Sequence, residues 1–152
     1  MSVKVVKMAD LAKELGKFGH VSLANQKKAV GRAIVAAMPR LVAASPIDTG
    51  LYAQSWDFTL DEEKAVIGNY APHGAVIEFG ARPFTPPLTP LLAWAKRVLK
   101  DPSQPPSYSP QVQRLARGTQ AKIARVGMKP HHILENEIPK IIEDIKKELR
   151  SA

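Results

Sequence analysis

Two carboxylates and a histidine pair are the residues of this chain best suited to chemistry: Asp48, Glu78 and the adjacent His131 and His132. A carboxylate acts as a general acid or base when burial raises its pKa, and histidines are common metal ligands. Each of these groups also has a structural explanation in its neighbours. The neighbours of each group indicate whether its role is chemical or structural.

Asp48 lies in the run Pro46-Ile47-Asp48-Thr49-Gly50, which has the composition of a tight turn. Proline fixes its own φ, and glycine takes the positive φ that closes such a turn. The Asp48 carboxylate is placed to accept the amide of Gly50. Turn geometry accounts for every residue of the run, so we expect a corner between a helix and a sheet rather than a catalytic acid.

Glu78 lies between Ile77 and Phe79. Apolar surroundings favour the neutral form of a carboxyl group and raise its pKa. A carboxylate bound to an arginine, within one subunit or between two, explains the same setting. We favour the arginine pair over a titrating acid.

His131 and His132 are neighbours in the chain, and neighbouring side chains on a helix point about 100° apart, so they rarely bind one ion together. The sequence contains neither a His-Glu-x-x-His pair nor a cysteine to complete a site. It also lacks a phosphate-binding Gly-x-x-x-x-Gly-Lys loop and a Gly-x-Ser-x-Gly nucleophile turn. We therefore predict no catalytic residue, no cofactor and no metal ion.

The composition is that of one ordinary folded domain, since 45% of the 152 residues are hydrophobic and no long polar tract interrupts them. No run approaches the ~18 apolar residues of a membrane span. The segment Met1–Lys7 alternates valine with lysine and lacks the apolar centre of a signal peptide. Without cysteine the chain has no disulfide or thiolate chemistry, which fits synthesis in a reducing cytosol.

The net charge of +8 belongs to one segment. Between Phe79 and Leu134 there are nine lysines and arginines and one acid, Asp101, which leaves 13 of the 22 basic and 13 of the 14 acidic residues for the rest of the chain. A localised positive field predicts a polyanion or an acidic protein surface as a neighbour.

Four of these cations lie on one side of the amphipathic helix predicted over Pro110–Val126: Arg114, Arg117, Lys122 and Arg125. Three interpretations stay open, namely an ordinary solvated surface, DNA in a channel, or an acidic rim of another protein. The segment lacks interleaved aromatic residues and any zinc-finger or RNA-sheet signature. Any DNA contact would therefore be to phosphates, without sequence preference.

Apolar periodicity predicts long helices over 21–44 and 131–150, and short strands over Val3–Val6, Ala53–Leu60 and Lys64–Gly68. Together they indicate an α+β fold, in which a small antiparallel sheet of three or four strands is packed by the two long helices.

Three shorter features accompany this framework. Residues Met8–Phe18 present a helical apolar face, and Pro39 predicts a kink in the first long helix. Ala75–Phe79 is an apolar run that suits either a strand or a tight helical turn.

The segment from residue 82 to residue 128 is rich in proline and predicted to be helical. A short helix is expected over Pro90–Lys100 with Pro90 at its first position, followed by an extended loop over Asp101–Ser109. We expect this segment to be an extension within a single domain that covers residues 1–152.

An ordered set of residues in the first half of the chain resembles the tail-completion, or head–tail joining, neck proteins of long-tailed bacteriophages. The residues that carry the resemblance are Pro46, Asp48, Thr49, Gly50, Ser55, Asn69, Tyr70, Ala71, Glu78, Phe79 and Gly80. Trp56, which follows Ser55, is assigned with them to one structural motif. The chain departs from the family pattern at Leu51, where arginine is frequent, and at Ala81, where threonine is usual.

The resemblance implies a structural virion protein of the phage neck. Such proteins form a ring, commonly six-fold, between the head-side connector or stopper and the tail terminator or tube, and DNA passes through the lumen. A tail terminator or minor capsid protein of the same virion is the first alternative. A free protein that binds nucleic acid without sequence preference is the second, from a different functional class.

Overall fold

A computed structural model of the chain describes residues 2–6, 16–19, 21–61 and 64–151. The helical face predicted from Met8 to Phe18 lies outside these residues, apart from a 3-10 turn at Gly16–Phe18. No helix in the described part of the chain is both long and apolar enough to cross a bilayer.

The chain divides into two compact units. The first, here the core unit, comprises residues 1–78 and 132–152, and the second, here the basic unit, comprises residues 79–131. All nine cations of the positive segment and its single acid fall in the basic unit, so that unit has a net charge of +8 and the core unit has none.

Three strands and six α-helices form the described structure. In chain order they are β1 (Ser2–Val6), α1 (Leu23–Ala44), α2 (Leu51–Gln54), β2 (Trp56–Leu60), β3 (Ala65–Asn69), α3 (Gly74–Phe79), α4 (Leu88–Leu99), α5 (Pro110–Val126) and α6 (Ile133–Arg150). This mixture of helices with an antiparallel sheet confirms the predicted α+β class.

The sheet has the strand order β1-β3-β2, and both strand pairs are antiparallel. Trp56 of β2 lies opposite Asn69 of β3, and Leu60 lies opposite Ala65. Four of the five residues of the central strand β3 are buried: Ala65, Ile67, Gly68 and Asn69. The sheet therefore contributes its middle strand to the core, as the apolar run in the sequence requires.

The core unit is built on the packing of α1 against α6. Alanines at positions 29, 33 and 37 of α1 are at most 1% exposed, and their small side chains let the second helix approach closely. Larger side chains of both helices complete the core with Trp56 and Ile67 from the sheet: Val30, Ile34, Leu41, Ile141, Ile145 and Leu149. The two long predicted helices are confirmed to within two residues at each end.

Two predicted boundaries are wrong. The strand predicted over Ala53–Leu60 begins only at Trp56. Ala53 belongs instead to the helical turn α2, in which the Gly50 carbonyl accepts the amide of Gln54 at 3.0 Å. Helix α4 begins at Leu88, so Pro90 is its third residue. A proline is tolerated there because the amides of the first turn have no intrahelical partner.

Two further expectations concern α1 and α3. Helix α1 continues through Pro39 to Ala44, and a kink at that proline stays a prediction. The ambiguous run Ala75–Phe79 belongs to the helix α3 and not to a strand.

The basic unit has a small core of its own between α4 and α5. Ala95, Val112 and Ala116 are fully buried there, and partly buried residues that include Leu91, Trp94 and Tyr108 pack around them. Helix α5 begins where Ser109 accepts the amide of Val112 at 3.3 Å and ends at Gly127. The bounds predicted for this helix are confirmed.

Candidate functional site

The corner after α1 is held by a buried serine. Ser45 donates to the carbonyl of Leu41 at 2.7 Å and accepts the indole N–H of Trp56 at 2.8 Å. Gly50 closes the corner with a φ of 82°, as predicted from the turn composition. The end of α1 is therefore attached to the first residue of β2. Asp48 and Thr49 are exposed, and the proposed bond between Asp48 and the Gly50 amide stays a prediction.

Asn69 and Ser55 hold the chain on either side of β2 and β3. The fully buried Asn69 donates to the carbonyl of Tyr52 at 2.7 Å and accepts the amide of Ala71 at 3.0 Å. The Ser55 hydroxyl donates to the carbonyl of Leu51 at 2.6 Å. Both side chains satisfy backbone groups that the turns leave unpaired, which is a structural role.

Glu78 caps the last helix. Its carboxylate accepts the amides of Ile133 at 3.0 Å, Leu134 at 2.9 Å and Glu135 at 3.2 Å, and the side chain is 2% exposed. The arginine partner expected from the sequence is thus replaced by three backbone N–H groups.

The reason for this partner lies in the start of α6. His132 occupies the N-cap position with a φ of 50° and makes no side-chain cap bond, so the first amides of the helix need another acceptor. A carboxylate suits the positive end of the helix dipole. Because Glu78 is 55 residues away, no local sequence pattern could have shown this contact.

Tyr52 lies beside this cap. Its ring contacts the ring of Trp56 edge to face at 5.6 Å, and its buried hydroxyl has no hydrogen-bond partner among the residues that the structure describes. Burial, with a smaller contribution from the negative Glu78, raises the pKa of Tyr52 to about 12. The phenol therefore stays neutral at physiological pH and is not a base.

The histidine pair lies at the start of the last helix, with His132 at its N-cap position. His132 Nδ1 lies 2.9 Å from a carboxylate oxygen of Glu135, and both histidines are exposed. Across the part of the chain that the structure describes, no group of three or more histidine, aspartate and glutamate side chains could hold a metal ion.

Two glycines lie where the basic unit begins and ends. Ala81 and Met128 pair as an antiparallel bridge, with N–H to O distances of 3.0 and 2.9 Å. Gly80 and Gly127 have φ values of 71° and 74°, and a Cβ on either would overlap a carbonyl oxygen, that of Met128 or Ala81 respectively. Gly80 of the motif set is therefore required by close backbone contact, whereas its neighbour Phe79 is 56% exposed.

The four cations predicted on α5 are all exposed: Arg114, Arg117, Lys122 and Arg125. They extend over roughly 16 Å of helix at 1.5 Å per residue. Among the described residues none of the four forms an ion pair. The only acid of the unit, Asp101, already accepts the amide of Ser103 and the hydroxyl of Ser109.

Hydrogen bonds from Ser103 and then Ser109 lower the pKa of Asp101. The carboxylate therefore stays charged as it holds the loop that leads into α5. It contributes to the fold of the basic unit rather than to the neutralisation of the helix face.

Within the described structure, Arg40 of the core unit forms ion pairs, unlike the four exposed cations of α5. Arg40 of α1 donates to Glu137 at 2.9 Å and to Asp144 at 2.7 Å, both on α6. Burial by itself would raise the pKa of Glu137, but hydrogen bonds from Lys140 and Arg40 outweigh it and lower that pKa. These pairs join the two long helices.

Sequence reasoning missed a groove beside the basic face. Leu99 at the end of α4 and Leu115, Gly118 and Thr119 of α5 line a depression of about 460 Å³, together with Arg114 and Lys122. The spacing of the α5 positions shows from the sequence that they share one side of a helix. The contribution of Leu99 depends on the packing of α4 against α5, which the sequence pattern does not show. A larger open groove of about 790 Å³ lies along α1 beside Leu60 in the core unit.

The structure thus distributes the predicted residues over two regions. The motif residues Ser55, Trp56, Asn69 and Glu78 lie in the core unit with their polar atoms bonded, and the basic face lies in the other unit. Comparison of the chain with protein-family models, with curated proteins and with solved structures finds no match.

Proposed function

We propose that this chain is a structural protein of the bacteriophage neck, in which identical copies form a ring that joins the head connector to the tail and lets DNA pass. The proposal rests on the hydrogen bonds made by the polar side chains of the motif set. Ser55 and Asn69 bind backbone carbonyls of the turn α2, and Glu78 binds the first amides of α6. These three residues of the set that resembles the neck family therefore have structural roles.

The mechanism would be shape complementarity between copies and not catalysis. Heterologous contacts that close by rotation generate a ring, with one face for the connector or stopper and the other for the tail terminator or tube. Exposed apolar side chains in the basic unit supply contact area for such neighbours: Phe79, Phe84, Val98, Leu99 and Val126.

A complementation assay tests the proposal. Heads and tails assembled without the chain should remain separate, and purified chain should restore joined, infectious particles. Electron microscopy of the restored particles should place the chain at the head–tail junction, and the measured mass should give the number of copies in the ring. Finished particles that lack the chain would contradict the proposal, as would a purified protein that turns over a substrate.

Microscopy also separates the first alternative, because a tail terminator would cap isolated tails and a minor capsid protein would remain on the shell.

A second candidate function, non-specific binding of nucleic acid by the free protein, is favoured by the charge of the basic unit. A free binder would retard duplex DNA at low salt, with an affinity that falls steeply as salt rises. A neck component should bind DNA weakly on its own. Retardation at physiological salt, without restoration of particles, would favour this second function.

A further inference from the structure

The groove on the basic unit has the form of a helix-docking site. Its α5 lining comes from positions 111, 114, 115, 118, 119 and 122, which share one side of the helix over about three turns. Leu99 and Leu115 provide apolar wall, and Leu99 is 44% exposed. Arg114 and Lys122 lie near the two ends.

Gly118 at the centre of this lining is unexplained by the monomer. It lies inside α5, where glycine is less favourable than alanine, and a Cβ built on it meets no atom within 4 Å. No turn, positive φ or close contact in the described chain requires glycine there. Close approach of a partner backbone would use the space that its missing side chain leaves.

The charges around the groove specify the partner. Within the described ranges Arg114 and Lys122 have no acid partner, and Asp101 is already bound by serines of its own loop. An occupant with carboxylates at its flanks would neutralise both cations. The apolar lining favours a protein over DNA, because a phosphate backbone gains nothing from leucine side chains.

We propose that this groove binds an acidic amphipathic helix of a partner protein, with leucine-like side chains against Leu99 and Leu115 and carboxylates at Arg114 and Lys122. The inference rests on the proposed function only in that the partner belongs to the neck. Peptide binding is measured on the purified chain, so its failure and a failure of complementation are separate results.

The probes are two synthetic helical peptides of about 18 residues, a length at which a designed helix is stable enough to measure. One has leucines along one face and glutamates on both flanks. The other keeps every glutamate and has serine in place of each leucine. Fluorescence anisotropy at physiological salt should show binding of the leucine peptide, with the serine peptide at least about tenfold weaker.

Matched variants locate the site. Reversal of both groove cations, Arg114→Glu with Lys122→Glu, should weaken the leucine peptide about tenfold or more. The control Arg117→Glu with Lys129→Glu makes the same charge change at exposed positions that do not line the groove, and should weaken it by less than about threefold. Gly118→Leu, which fills open space in the monomer, should leave the fold intact and block binding.

Three results would overturn the inference: equal binding of the two peptides, equal loss in the two double variants, or no binding of either peptide. If neither peptide binds, a duplex DNA probe tests whether the face binds phosphates. Retention of DNA that depends as much on Arg117 as on Arg114 would assign the face to phosphates instead of to a helix.

Discussion

The core unit and the basic unit differ in their balance of basic and acidic residues. In the core unit 13 basic and 13 acidic residues balance, and pairs such as Arg40 with Glu137 and Arg32 with Glu148 connect α1 to α6. The basic unit contains nine cations and one acid. Uncompensated like charges destabilise a compact unit through self-repulsion. An external partner for the basic unit, as proposed above, would explain why its charges are left uncompensated.

The two units also differ in the size of their apolar cores. Among the described residues, the apolar cluster of the core unit has seventeen buried members and that of the basic unit has three. A small apolar core stabilises less, so specific caps and tight backbone contacts matter more for the basic unit. The predictions below test this contrast, beginning with the largest expected effect.

Gly127→Ala should destabilise the chain by about 4 kcal/mol, because the new Cβ overlaps the Ala81 carbonyl at a φ where alanine is strained. Gly118→Ala is the matched control in the neighbouring helix, and it should stabilise by up to about 1 kcal/mol. Denaturant unfolding of both variants measures the difference. Equal effects would mean that the bridge between Ala81 and Met128 does not constrain the chain.

Glu78→Ala should lower the free energy of unfolding by about 3 kcal/mol, because it leaves three buried or half-buried amides at the start of α6 without an acceptor. Glu78→Gln keeps one acceptor oxygen and should lose about half as much. Chemical denaturation monitored through Trp56 reports the change. A loss below about 0.5 kcal/mol in the alanine variant would show that the cap is not important for stability.

Arg40→Met should cost about 1 kcal/mol at neutral pH, because the buried Glu137 loses one of its two cationic partners. A lowered carboxyl pKa stabilises the fold above the unfolded pKa, and this stabilisation is lost as pH falls through the folded pKa. The deficit of the variant should therefore shrink towards zero in acid.

The control for this pair is Arg32→Met. Its partner Glu148 has a side chain that is 35% exposed, against 6% for Glu137, so the loss should be smaller and depend less on pH. Stability curves measured at several pH values compare the two variants. A pH-independent deficit in Arg40→Met would contradict the assigned role of Glu137.

The parts of the fold that depend on neighbouring residues could be predicted from the sequence. Apolar spacing located α1, α5 and α6, because the apolar face of a helix depends on residues three and four positions apart. The turn at Gly50 followed from its composition in the same way.

Contacts between distant residues could not be predicted. The partner of Glu78 is 55 residues away, and an apolar setting suits an arginine pair as well as a helix cap. The strand predicted over Ala53–Leu60 began three residues too early, because the helical turn that follows the positive φ of Gly50 continues to Gln54. The groove needs Leu99 from a second helix, so a pattern on α5 alone did not reveal it.

The most direct test of the account is the triple reversal Arg114→Glu, Arg117→Glu and Arg125→Glu, measured for unfolding and for joining of heads to tails. A matched reversal of three exposed cations of the core unit, Lys27, Lys64 and Lys147, makes the same charge change elsewhere. We predict that the basic-face variant folds with no loss of stability and fails to join particles, while the control joins them. Full infectivity of the basic-face variant would contradict the account.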